Sequence, residues 1–406
     1  MKQLVLLLGF LLSLSSTSTK AQYVSLSETS EVSIITIGPG AQLYDKFGHS
    51  AFRIKDAASG MDIVYNYGVY DFETPNFYTK FAQGKLLYKL VVNPYEPFIE
   101  SYRRQNRWIN EQILDLSYSE KQAVFNFLQN NAKPENMFYK YDFFFDNCAT
   151  KIRDVLVTVL GNDLVYKNKI APEGKTFREL IQQNVYWNSW GSLGMDVAIG
   201  AVVDKKATAW EYQFLPDYVF EGAAQASFKN APLVKETASL YQNIPKDTER
   251  NFLTSPLFVF GLLGVLLMWV TWRDFRKKVR SRYLDSLLFF VTGQIGVFLL
   301  LLWTATDHTA TANNYNMLWA FPLSLFLAFA IGKQQPKRWV ARYVFFLVLL
   351  FALLGIHWIT GVQVFALGLL PLFIALIVRY LYVFYFLKKR NAASAVEPPI
   401  TARDKR

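Results

Sequence analysis

Cysteine and histidine are scarce in this 406-residue chain: Cys148 stands alone, and the imidazoles are His49, His308 and His357. One thiol excludes any disulfide within the chain, and three dispersed histidines do not give zinc-ligand spacing. EF-hand, P-loop and dinucleotide fingerprints are also missing, as are internal repeats, so neither a metal nor a cofactor is expected. Charge of one sign is not lacking, since the net charge is +11. The basic residues, however, gather beside apolar runs, which argues against a nucleic-acid partner.

Those apolar runs divide the chain. Met1 to Ala21 carries Lys2, an apolar stretch from Leu4 to Leu12, and Thr19-Lys20-Ala21 before Gln22, the layout of a cleavable signal peptide. Residues 22–250 read as one globular domain with no long apolar run. From 251 to 390 five stretches approach the roughly 20 residues that span a bilayer. They are Phe252 to Trp272, Leu287 to Thr304, Met317 to Ile331, Tyr343 to Ile359 and Phe365 to Leu387, the third being the shortest. Basic clusters at Arg273 to Arg282, Lys333 to Arg342 and Lys388 to Arg390 follow the first, third and fifth stretches, and the alternate loops have none. The positive-inside rule then places the amino-terminal domain outside the cytoplasmic (inner) membrane, in the periplasm, and the tail inside. Residues 391–406 are polar, with two adjacent prolines, and are expected to be disordered.

An unpaired thiol in an oxidising compartment asks for a reason. Asp146 or Asn147 can cap a helix beginning at Cys148, with Gly161 as its stop. Cys148, Ile152, Val155, Leu156 and Val159 share one face of that helix. A thiol in the first turn meets the positive end of the helix dipole, which favours thiolate and hence nucleophilic chemistry. His49, the only histidine of the domain, sits where alternation predicts a strand to Ile54, and Ile63 to Gly68 reads as its antiparallel partner. A hairpin symmetric about Lys55 to Asp62 puts Asn66 close to opposite His49, on the same face, where it can orient the imidazole. A one-residue slip would bring Tyr65 or Tyr67 there instead.

Phe47-Gly48-His49-Ser50 on a strand, followed about a hundred residues later by Asp146-Asn147-Cys148 at a helix start, resembles the circularly permuted papain-like (NlpC/P60-type) enzymes. That group is similar to lecithin:retinol acyltransferase, which takes acyl chains from phospholipids. Tyr65-Asn66-Tyr67-Gly68, Asp142 to Thr150, Phe214-Leu215-Pro216-Asp217-Tyr218 and the apolar tail more specifically resemble the Lnb-type lipoprotein N-acyltransferase family of Bacteroidota. The resemblance implies an α+β papain-like domain followed by a five-helix transmembrane domain, with Cys148 as nucleophile and His49 as base. It also implies a phospholipid acyl donor and a diacylglyceryl-cysteine lipoprotein as acceptor. The N–H of Cys148 with a neighbour such as Asn147 is then the expected oxyanion support.

Other residues are open to two readings. Arg103, Arg104 and Arg107 suit lipid phosphate or a solvated helix face; Trp187, Trp190 and Trp210, with Met195, suit a membrane rim or core packing. Tyr44, His308 and Asn313 are candidate substrate contacts, and His357 is a packing residue or part of a polar site. Two rivals use the same sequence. A papain-like peptidase or amidase acting on cell-wall peptide needs the same cysteine and histidine, whereas a non-enzymatic membrane assembly protein needs neither.

Overall fold

The computed structural model describes residues 25–167, 174–245 and 251–396. The expected signal peptide and the boundary at 250 therefore lie outside the described residues.

Strands β1 (Glu31–Ile37), β2 (His49–Asp56) and β3 (Met61–Val69) run antiparallel, and α1 (Phe77–Ala82) leads to β4 (Leu87–Pro94). Then come α2 (Tyr95–Arg104), β5 (Ile109–Leu114), α3 (Tyr118–Asn131), β6 (Phe138–Lys140) and α4 (Cys148–Leu160). The short strands β7 (Leu164–Val165), β8 (Ser227–Phe228) and β9 (Ala231–Pro232) form a separate ladder, and β10 (Val234–Tyr241) returns to the main sheet. Its order is β10-β5-β1-β2-β3-β4-β6.

Both faces of this sheet are covered, so β1 is buried from Val32 to Ile37. Val32 and Ile34, with Phe52, Ile54, Tyr65 and Tyr67, pack on Val124, Phe125 and Leu128 of α3 and on Ile152, Val155 and Leu156 of α4. Ile35, Ile37, Ala51 and Val64 face the other way, onto Phe98 and Ile99 of α2. The expected apolar face of α4 is therefore the one that docks on the sheet.

Helices α5 (Phe177–Gln182), α6 (Trp190–Ala198), α7 (Ala209–Tyr212) and α8 (Pro216–Gln225) connect the sheet to the membrane part. That part comprises α9 (Pro256–Lys277), α10 (Arg282–Thr304), α11 (Leu323–Ile331), α12 (Arg338–Ile359) and α13 (Leu370–Val396), which provide five candidate membrane spans. Three boundaries differ from the sequence reading. Ser255 caps α9 through Phe258 N with Pro256 in its first turn, so that span starts later and ends at Lys277. The third span is helical only from Leu323; before it the chain makes 3-10 turns at Thr309–Thr311 and Tyr315–Leu318. The fifth helix continues to Val396, past the expected boundary at 390, and residues 397–406 lie outside the described residues.

Irregular backbone at a membrane edge is tolerated where protein covers it. Asn314 Nδ2 donates to the carbonyls of Val197 and Ala198 (2.8 and 3.0 Å), and Asn316 Nδ2 donates to that of Asp196 (3.0 Å). Gly200 N donates to Ala310 O and Ala201 N to Asn313 O, so the loop before the third span is stitched onto the periplasmic domain. Gly293 and Gly296 let α10 approach the third span backbone to backbone: a Cβ at either would lie 2.0 Å from Leu325 N or Ala320 O.

Candidate active site

The sequence Asn147-Cys148-Ala149-Thr150 starts α4 because Asn147 can satisfy its free amides. Its Oδ1 accepts from Ala149 N (2.8 Å) and Thr150 N (2.9 Å). Its Nδ2 donates to Phe143 O (2.6 Å) and Phe214 O (2.8 Å). Both amide hydrogens are thus engaged, and the side chain supports the turn that carries Cys148 rather than offering an oxyanion donor. The N–H of Cys148, first in the helix, has no intrahelical carbonyl partner.

Cys148 is partly exposed at a cavity of about 350 Å³. The His49 imidazole and the backbone amides of Ser50 and Ala149 stand close enough to the sulfur to favour its thiolate. His49 Nε2 lies 2.7 Å from Asn66 Oδ1. With Nε2–H donating to that oxygen, the other ring nitrogen is the acceptor turned to the thiol. Asn66 is aimed in turn by Asn93, whose Oδ1 lies 3.4 Å from Asn66 Nδ2. Enclosure by protein opposes charge on both reacting groups, but their mutual attraction outweighs it. The Cys148 thiol is held below its ordinary value and the His49 imidazole above its own.

The hairpin register sets how Asn66 reaches the imidazole. Phe52 pairs with Tyr65 and Arg53 with Val64, which puts Gly68, not Asn66, across from His49. Asn66 reaches the imidazole diagonally from the same face. Gly68 matters for another reason: at φ +87° it lies where a Cβ would come 3.3 Å from Cys148 Cβ. Between Asn66 and Val69 the β3–β4 ladder also shifts register. The His49 ring rests near Phe98 and Tyr102 of α2, while α4 covers the opposite face; the two groups meet at this side-chain-free strand end. Gly68→Ala is expected to slow alkylation and acylation of Cys148 by about tenfold or more, through backbone strain and displacement of the sulfur. Rates of iodoacetamide labelling alongside thermal unfolding would separate that from a general loss of fold.

The remaining candidates fall into place unevenly. Tyr44 and His308 line the cavity; Asn313 does not, being exposed at φ +54° with its carbonyl tied to Ala201. Its neighbours Asn314 and Asn316 are buried pins. Arg103 and Arg104 pair with Glu96 and Glu100 on an open helix face. Arg107 instead is buried, with Nε donating to Gly38 O (2.7 Å) and its guanidinium 3.9 Å from Asp45. Burial depresses its basicity, though nearby charges including Cys148 oppose that. Trp187, Trp190 and Trp210 are all exposed, and Trp190 Nε1 donates to Thr254 O just before the first span. His357 packs on Tyr315 and bonds Leu353 O, as a packing residue would.

Sequence reasoning missed Gly68, Asn93 and Tyr141. Tyr141 lines the cavity, stacked on Tyr88 at 4.2 Å, and burial followed by the charge of Cys148 pushes its phenol well above the ordinary value. It also left open whether membrane segments help to build the site. Asp307, His308, Thr309 and Ala310, from the loop after α10, form one wall. Lys140 Nζ to Asp307 (2.7 Å) and Thr309 Oγ1 to Asp142 Oδ2 (2.7 Å) fasten that wall to the turn preceding Cys148.

The same two-part layout is met elsewhere. A family model described as the Lnb N-terminal periplasmic domain matches residues 19–183, and one described as the Lnb transmembrane domain matches residues 247–391. The chain belongs to the Lnb family. It is accordingly a multi-pass inner-membrane protein with a periplasmic domain, α+β in fold and followed by five membrane helices. No curated protein and no solved structure matches it.

Proposed function

We propose that this member of the Lnb family is a lipoprotein N-acyltransferase working through a thioester on Cys148. His49 takes the thiol proton, and the thiolate attacks an ester carbonyl of a glycerophospholipid. The tetrahedral oxyanion is held by the N–H of Cys148 and the hydroxyl of Tyr141, which stays protonated and so remains a donor. Collapse breaks the C–O bond, and the His49 imidazolium protonates the departing lysophospholipid. In the second half the free α-amino group of a diacylglyceryl-cysteine attacks the thioester. His49 removes its proton, and the Cys148 thiolate leaves.

The observation that carries this reading is the composite cavity: a thiol–imidazole–amide line opening beside Asp307 to Ala310, the loop that follows the second candidate span, among aromatic side chains. A wall built from a membrane-span loop suits a lipid ester, whereas a cell-wall peptide gains nothing from it. Purified protein in proteoliposomes, given a synthetic diacylglyceryl-cysteine peptide, is expected to yield peptide one acyl chain heavier plus lysophospholipid, as read by mass spectrometry. Free fatty acid without modified peptide would make it a hydrolase, and cleaved peptide bonds would make it a peptidase.

A further inference from the structure

Between β3 and β4 the chain exposes aromatic surface that packing does not explain. Phe72 is 66% exposed, Tyr78 80% and Phe81 53%. The rings are nonetheless organised: Tyr70 meets Phe72 at 5.1 Å, Phe72 meets Phe77 at 4.8 Å and Phe77 meets Phe81 at 6.3 Å. A contiguous apolar patch of this kind marks an interaction surface.

Its position says what covers it. Gln83 O, just beyond α1, accepts from Asp307 N (2.9 Å), and His308 Nε2 lies 3.0 Å from Phe81 O. At Gly84 a Cβ would come 3.1 Å from the backbone of Asp307. Helix α10 ends at Thr304, so α1 is fixed at the height where the second span leaves the bilayer. Phe and Tyr rings suit that interface, and Lys80 and Lys85 beside them suit lipid headgroups.

We propose that the Phe72–Phe81 segment lies in the outer leaflet of the bilayer that the five helices cross, and that the glycerolipid ester reaches Cys148 between α1 and the Asp307–Ala310 loop. Phe81, Asp307 and His308 belong to the cavity wall, so the patch and the cavity are continuous. The entry route rests on the acyltransferase reading; the insertion itself does not.

Because Cys148 is the only cysteine, Cys148→Ser leaves a thiol-free chain for single-site spin labelling. A nitroxide on Tyr78→Cys in lipid nanodiscs is expected to collide with oxygen and be shielded from an aqueous nickel chelate. One on Asn162→Cys, exposed past the far end of α4 and about 20 Å along that helix, is expected to do the reverse. Equal chelate access at both sites would overturn the insertion. For the entry route, the Phe72→Asp/Tyr78→Asp variant is expected to slow Cys148 acylation from bilayer phospholipid by about tenfold, with acylation by a water-soluble short-chain ester unchanged. Unaltered acylation from the bilayer would overturn the route. If the unmodified chain takes acyl groups from neither donor, the acyltransferase reading fails while the depth result stands.

Discussion

His49→Ala is expected to lower acyl transfer by about a thousandfold or more and to move alkylation of Cys148 to higher pH. Both effects have one cause. Enclosure pushes the thiol up, and it is the charge and hydrogen bond of His49, helped by Ser50 and Ala149 amides, that bring it below its ordinary value. Without the imidazole only those amides oppose enclosure, and the thiol should ionise at higher pH than in the intact chain. At neutral pH iodoacetamide labelling should then fall by about tenfold or more. The reactive form is the pair that holds one proton between thiol and imidazole. Acylation should therefore be lost on the acid side, where the pair takes up a second proton, and on the alkaline side, where it loses its last. The two limbs belong to the pair rather than to either residue. His49→Gln, which preserves bulk, should give the same labelling shift with unchanged thermal unfolding; a profile like that of the unaltered chain would remove His49 from its role.

The second large effect is on stability. Arg379 on α13 is fully buried, with NH1 2.9 Å from Asp274 on α9 and Nε 2.7 Å from Asp285 on α10. Asp274 also accepts from Ser281 N (2.8 Å), and Arg280 stands 3.6 Å from Asp285, so one network joins three membrane helices near their cytoplasmic ends. Arg379→Leu removes the buried cation that both carboxylates share and leaves them only Arg273 and Arg280, a loss of about 3 kcal/mol. Thermal unfolding in detergent should show a markedly lower midpoint, with much of it regained in Arg379→Leu/Asp274→Asn/Asp285→Asn, where the stranded charges are gone. Unchanged unfolding of the single variant would mean the network holds nothing together.

What could be read from the residues was whatever local chemistry settles. Asn147 before Cys148, the apolar face from Ile152 to Leu156, and basic clusters after alternate apolar stretches are each decided within a few residues. What distant partners decide was not legible. A symmetric hairpin put Asn66 close to opposite His49 on the same face; the register brings Gly68 directly across, and Asn66 bonds the imidazole from the diagonal position. Arg107 resembles its neighbours Arg103 and Arg104 in sequence, yet only it is buried, because Gly38 from a distant strand end accepts its Nε. Arg379 falls inside the fifth apolar stretch, where its charge was passed over; its partners Asp274 and Asp285 come from other helices. The third span looked merely short; its first half is irregular because Asn314 and Asn316 spend their amides on the periplasmic domain.

That docking gives the site its membrane-facing wall, and the whole account depends on what Cys148 accepts there. The decisive measurement is the intact mass of the detergent-solubilised chain after incubation with phospholipid and no acceptor, compared with Cys148→Ser. The account predicts a hydroxylamine-labile increase of one fatty acyl chain on the unaltered protein alone; no adduct with any phospholipid, or an equal adduct on both proteins, would contradict it.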